Sequence, residues 1–154
     1  MITNIDVYFA IAEESQAEAE RLENLARRPN PDGGFIITYD PERKSFKNSL
    51  IAITFAGIYL ESLLYMVGVK KFGRDEYDKK YDHKSYEDKL KLFGVTDATL
   101  LAEAKHVREM RRDLVHEKAV EFGDLTAAAI HVAQDEAKKT VSFVKKVKER
   151  LETR

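Results

Sequence analysis

Cysteine is absent from this chain, which excludes disulfides, thiol nucleophiles and thiolate-held metals together. The absence accords with a reducing compartment, so a cytoplasmic location is expected. Proline is scarce, with 3 in 154 residues, as long helices require. No basic stretch leads into an apolar run at the start, so no signal peptide is expected. Net charge is lacking too: 26 Lys and Arg stand against 27 Asp and Glu, leaving −1. That balance excludes bulk electrostatic binding of nucleic acid, though not a local basic patch. The glycine motifs of phosphate loops and dinucleotide folds are missing, as is a serine-nucleophile elbow.

What is present is a globular composition, 44% hydrophobic and 34% charged, in a length that suits one domain over residues 1–154. Residues 1–28 read as an amphipathic N-terminal helix. Ile5, Tyr8, Ala12, Ala19, Leu22 and Ala26 recur near helical spacing, with glutamates on the other face. Residues 29–44 form a loop punctuated by Pro29, Pro31, Gly33, Gly34 and Pro41, in which Phe35–Tyr39 is a short extended piece expected to pack on the bundle.

Residues 45–151 hold the core helices. Ser45 is the expected cap of the first, which carries the apolar run Leu50–Val69. A run of this length raises the membrane question. Its flanks are basic on both sides, and Glu61 near its middle would cost about 3 kcal/mol to insert. The other segments are amphipathic and need a central partner, so the run is assigned to the middle of a soluble bundle, with no membrane partner. Residues 73–84 read as a solvated connection. Ser85–Phe93 is a short helix stopped by Gly94, and Thr96 or Asp97 caps a longer one through Leu114. Gly123 and Asp124 mark a break before a last helix, Leu125 to Leu151, whose late lysines form a solvated basic face. The expected fold is all-α, a four-to-five-helix bundle around a central apolar helix.

Chemistry concentrates in KHVREMRRDLVHEK, Lys105–Lys118. On a helical wheel Leu100, Ala104, Val107 and Leu114 define one stripe, and Arg111 falls inside it. A cation in an apolar stripe calls for a partner or an opening to solvent or another subunit. Glu61 is the natural partner, and a buried Glu61–Arg111 pair is expected. Arg111 and His116 are five residues apart, which separates them by about 140° on an unbroken helix. Arg112 and His116, four apart, share a face.

A central helix carrying FAGIYLESLL, followed by a later helix ending REMRRDLVHE, resembles the HEPN superfamily (higher eukaryote and prokaryote nucleotide-binding domains). The signature of that family is an arginine, four to six residues, then a histidine, which Arg111 and His116 match with four between. The family usually places Asn, Asp or His directly after the arginine; here Arg112 stands there and Asp113 follows one place late. The resemblance implies a metal-independent endoribonuclease or RNA-binding domain without a cofactor. It also implies a homodimer whose arginines and histidines face one cleft. A toxin–antitoxin or host-defence role, with an antitoxin or another protein as partner, goes with it. In that reading His116 moves a proton between the ribose 2′-hydroxyl and the leaving oxygen, and Arg111 holds the phosphate. Lys105, Arg108, Arg112, Asp113 and Glu61 are the supporting or RNA-binding residues.

The competing readings are a non-catalytic helical dimerisation module and a membrane-anchored helical protein. In the module, Arg111 is an internal ion pair and His116 caps a helix end. Glu103 and His106 have the E-x2-H spacing of di-iron bundles, but no second copy exists, so no metal site is expected. His83 reads as an exposed histidine and His131 as a packed one.

Overall fold

The computed structural model describes residues 4–25, 27–37, 42–115 and 127–152; at 36–37, 113–115 and 127–131 it describes the backbone alone. The expected break at Gly123 and Asp124 lies outside the described residues. The fold is an all-α bundle. Its elements are α1 (Ile5–Leu25), β1 (Arg27–Pro29), β2 (Phe35–Ile37), α2 (Lys44–Phe72), α3 (Arg74–Lys80), α4 (Tyr86–Leu92), α5 (Ala98–Val115) and α6 (Ala127–Glu152).

Helix α2 is the axis, and each of the other five helices touches it. It is long and apolar enough to cross a membrane, and its buried residues Ala52, Ile53, Ala56, Tyr59, Leu60, Leu63 and Leu64 face the packed helices. Helices α1 and α6 flank it and supply Phe9, Ala12, Phe143, Val144 and Val147 to one continuous core. Phe9 meets Tyr59 with ring centroids 4.7 Å apart. Of the late lysines of α6, Lys138, Lys139, Lys145 and Lys146 are exposed, as expected, Lys148 is half-buried, and several reach acids of neighbouring helices. Lys145 pairs with Glu13 at 2.7 Å and Lys138 with Glu20 at 3.6 Å. Exposed pairs of this kind contribute little to stability, at most about 1 kcal/mol each.

Four expectations need correction. Residues 73–84 are not simply a connection, because α3 forms there and makes six helices among the described residues. Six of its seven residues are charged, which hides the one apolar anchor, Tyr77, fully buried against Gly68 of α2. Acids in its first turn and lysines in its last complement the helix dipole. Ser45 does not cap α2; the helix starts one residue earlier, and Ser45 is buried inside it. The N-terminal helix ends at Leu25 rather than at residue 28, because Arg27–Pro29 is a strand paired antiparallel with Phe35–Ile37, through a turn in which Gly33 and Gly34 take positive φ. Phe35 is 66% exposed. Fourth, Glu61 is not buried, as described below.

The expected signals around α4 and α5 operate. The Ser85 hydroxyl accepts from the Asp88 N–H, and Asp97 accepts from the N–H groups of Thr99 and Leu100. Gly94, at φ 83°, closes α4: its N–H reaches the Lys91 carbonyl while that of Val95 reaches Leu90. That is the paired bonding of a Schellman stop, and only glycine takes its backbone angle without strain.

Candidate functional site

Arg111 lies across α2. The stripe Leu100, Ala104 and Val107 is buried as the wheel requires, and Arg111 continues it one turn later. It fits there because position 57 is glycine: a Cβ at Gly57 would stand 2.5 Å from Arg111 Cδ and 2.7 Å from its Nε. Crossing at Gly57, the side chain reaches residues 61 and 86. Its Nη1 donates to Glu61 Oε1 and, at 2.7 Å, to the Tyr86 hydroxyl, which itself donates to Glu61 Oε1 at 2.8 Å. Three side chains from three helices thus close a triangle.

The partnership matches the expectation, but the burial does not. The Glu61 side chain is 48% exposed and that of Arg111 only 21%. The apolar run of α2 is not covered uniformly, so a wheel position inside it does not guarantee burial; Ile51 and Met66 are also exposed. Burial lowers the Arg111 pKa, but the Glu61 and Tyr86 contacts outweigh it and the net shift is upward. Tyr86, 7% exposed, is pushed up by burial first and then by Glu61, with Arg111 opposing. It therefore stays a neutral phenol that donates to the carboxylate and accepts from the guanidinium.

Around this triangle lies a cavity of about 370 Å³ lined by Glu61, Lys84, Ser85, Tyr86, Arg108, Arg111 and Arg112. Among the described residues, four cations face one carboxylate there, on a chain whose net charge is −1. Arg108 is held in a two-point clasp by Glu87, at 2.9 and 3.2 Å. Burial, the largest single influence, raises the Glu87 pKa, but the Arg108 bond, a backbone hydrogen bond and the Arg108 charge together outweigh it, and the net shift is downward. Arg111 Nε is buried with no hydrogen-bond partner among the described residues, and Nη1 carries the bonds to Glu61 and Tyr86. An anion of phosphate size entering the cavity would meet guanidinium and ammonium donors.

Of the residues singled out in the sequence, Glu61, Arg108, Arg111 and Arg112 come together here. Lys105 is exposed on α5 and does not line the cavity. The Asp113 side chain and all of His116 lie outside the described residues, as does the side chain of His131. Lys84, Ser85 and Tyr86 were missed. Tyr86 is 25 residues from either partner, and no spacing rule links such positions. The E-x2-H pair does not converge: Glu103 goes to Lys146 at 2.8 Å, and His106 to Glu136 at 2.5 Å, both on α6. Among the described residues no group of three or more His, Asp and Glu side chains could hold a metal. His83 is exposed.

No family model, curated protein or solved structure matches the chain.

Proposed function

We propose that this chain is an endoribonuclease of the HEPN type, acting in a defence or toxin–antitoxin setting, that cuts RNA without a metal ion. The observation that carries the reading is the cavity in which Arg111, steadied by Glu61 and Tyr86, shares an electropositive wall with Lys84, Arg108 and Arg112. One residue beyond the last residue of α5, the sequence supplies His116, the one ordinary side chain that titrates near neutrality. An arginine held in a fixed orientation meets a scissile phosphate without first giving up side-chain freedom. The nucleophile would be the ribose 2′-hydroxyl, with His116 as the proton carrier and Lys105 and Asp113 in support.

A second reading has an observation of its own. Arg111 Nη1 is already engaged by Glu61 and Tyr86, as an internal structural ion pair would be, which favours a non-catalytic interaction module. One assay separates the two. Single-stranded RNA and DNA of the same sequence are incubated with the full chain in EDTA. The nuclease reading expects RNA fragments ending in 2′,3′-cyclic phosphate or the derived 3′-phosphate, with DNA intact. His116→Ala should then lose about 10²–10⁴-fold in rate. Arg111→Ala should be comparably slow, and Arg112→Ala milder. Intact RNA would leave the interaction module standing. Cleavage that survives His116→Ala, or requires magnesium, would remove the mechanism.

A further inference from the structure

A second cavity, about 840 Å³, shares Glu61 with the Arg111 site but is otherwise built by different residues. Its size falls in the range of small-molecule sites, about 300–1,000 Å³. One wall is apolar: Ile5 and Tyr8 of α1 with Tyr65, Met66 and Val69 of α2. Met66 is 40% exposed there, a large apolar side chain that the bundle leaves in water. The polar lining carries Lys70, Arg74 and Lys89 against Asp82 and Glu61.

Lys89 is the unusual member. Its side chain is 9% exposed, although lysines are almost never buried without full pairing. Its ammonium has three donors, but Asp82 Oδ1 at 3.3 Å is its one hydrogen-bond acceptor among the described residues. The ring of Tyr77, with its centroid 5.8 Å from Nζ, adds a weak attraction. Both acids of the lining are already engaged, Asp82 by Lys89 and Glu61 by Arg111 and Tyr86. Lys70 and Arg74 have no ion pair among the described residues and are exposed. The cavity thus joins an apolar wall to cations whose donors exceed the acceptors the protein offers.

We propose that this cavity binds a small organic anion with an apolar body, a carboxylate of the fatty-acid kind. The head group takes the open donors of Lys89 with help from Lys70 and Arg74, and the tail lies on Met66, Val69 and the two tyrosines. A cation of the same shape would meet three like charges, and an uncharged amphiphile would leave the Lys89 ammonium short of acceptors.

The test is calorimetric titration of the full chain with dodecanoate, and separately with dodecyltrimethylammonium, each below its micelle concentration. Dodecanoate should bind saturably at one site per chain, and the cation should not. Arg74→Glu, a change at an exposed position, should weaken dodecanoate by about tenfold or more, as the loss and reversal of a charge-assisted contact implies. Lys89→Met, which keeps the aliphatic stem, should weaken it at least as much. Should that variant fail to fold, Lys70→Glu combined with Arg74→Glu decides in its place. No heat of dodecanoate binding, equal binding of the two amphiphiles, or unchanged affinity in Arg74→Glu would each overturn the proposal. Because the readout is ligand binding, the result is independent of whether the chain cuts RNA.

Discussion

At the scale of single residues, the Glu61–Arg111 contact is asymmetric, and the asymmetry is measurable. Removing Arg111 leaves a carboxylate that is 48% exposed and can be hydrated. Removing the Glu61 charge leaves a guanidinium that is 21% exposed, with Nε buried and unbonded. A fully buried pair broken on one side costs about 3–5 kcal/mol; with Glu61 half in water the cost shrinks toward that of a surface pair. Urea unfolding should therefore show Glu61→Gln less stable by about 1 kcal/mol, and Arg111→Met less affected than that, since its apolar stem still covers Gly57. The reverse order would mean that the carboxylate, not the guanidinium, depends on the pair. Gly57→Ala is the sharper probe. The added methyl would sit 2.5 Å from Arg111 Cδ, in the middle of the side chain, so the guanidinium must leave Glu61 and Tyr86. Helical circular dichroism should persist while any RNA cleavage falls to the level of Arg111→Ala. Wild-type cleavage in Gly57→Ala would show that the triangle does not position the arginine.

Among the elements, α3 shows how a helix escapes a periodicity argument. RDEYDKK carries one apolar residue, and one residue cannot display a period. Its anchor is tertiary: Tyr77 lies against Gly68, where a Cβ would come within 1.9 Å of the ring. Ala outranks Gly in helix propensity by about 1 kcal/mol, so on propensity alone Gly68→Ala would stabilise α2. The clash with a fully buried ring should win, for a net loss of about 1–3 kcal/mol in urea unfolding. A stabilised variant would show that α3 docks loosely. The bundle, the apolar axis, the caps at Ser85 and Asp97 and the stop at Gly94 were legible because each is written in local spacing or a single capping residue. The Glu61–Arg111 pairing was legible because a lone acid in an apolar run and a lone cation in an apolar stripe imply one another. The exposure of Glu61 and the role of Tyr86 were not, since both depend on which helix covers which side of α2. The clasp between α4 and α5 also has a pH signature. The folded Glu87 pKa lies below its ordinary 4.5, so the Arg108 pair contributes stability above that value and loses it as pH falls through the folded pKa. Unfolding free energy measured from about pH 6 to 3 should fall less steeply in Glu87→Gln than in the parent. Parallel curves would mean that the clasp adds nothing.

For the whole molecule, the open question is how Arg111 could meet His116. Five residues apart on a continuing helix they diverge by about 140°, and the triangle with Glu61 and Tyr86 turns Arg111 toward α2. If the ribonuclease reading holds, a two-fold dimer resolves this by setting Arg111 of one subunit beside His116 of the partner subunit. Sedimentation should then show a dimer at tens of micromolar, about where a modest interface holds. Subunit mixing asks more than size does. Arg111→Ala and His116→Ala chains, each inactive alone, are unfolded together and refolded. In a mixed dimer one arginine–histidine pair carries both substitutions and is dead, while the other joins an intact arginine from one chain to an intact histidine from its partner. Random pairing makes half the dimers mixed, with one working pair in two, so activity should return to about a quarter of the parent rate. Were both residues drawn from the same chain, every pair would carry a defect and mixing would restore nothing. A monomer, or a mixture as inactive as its parts, would therefore remove the shared cleft while leaving the cavity around Arg111 to be explained within one subunit.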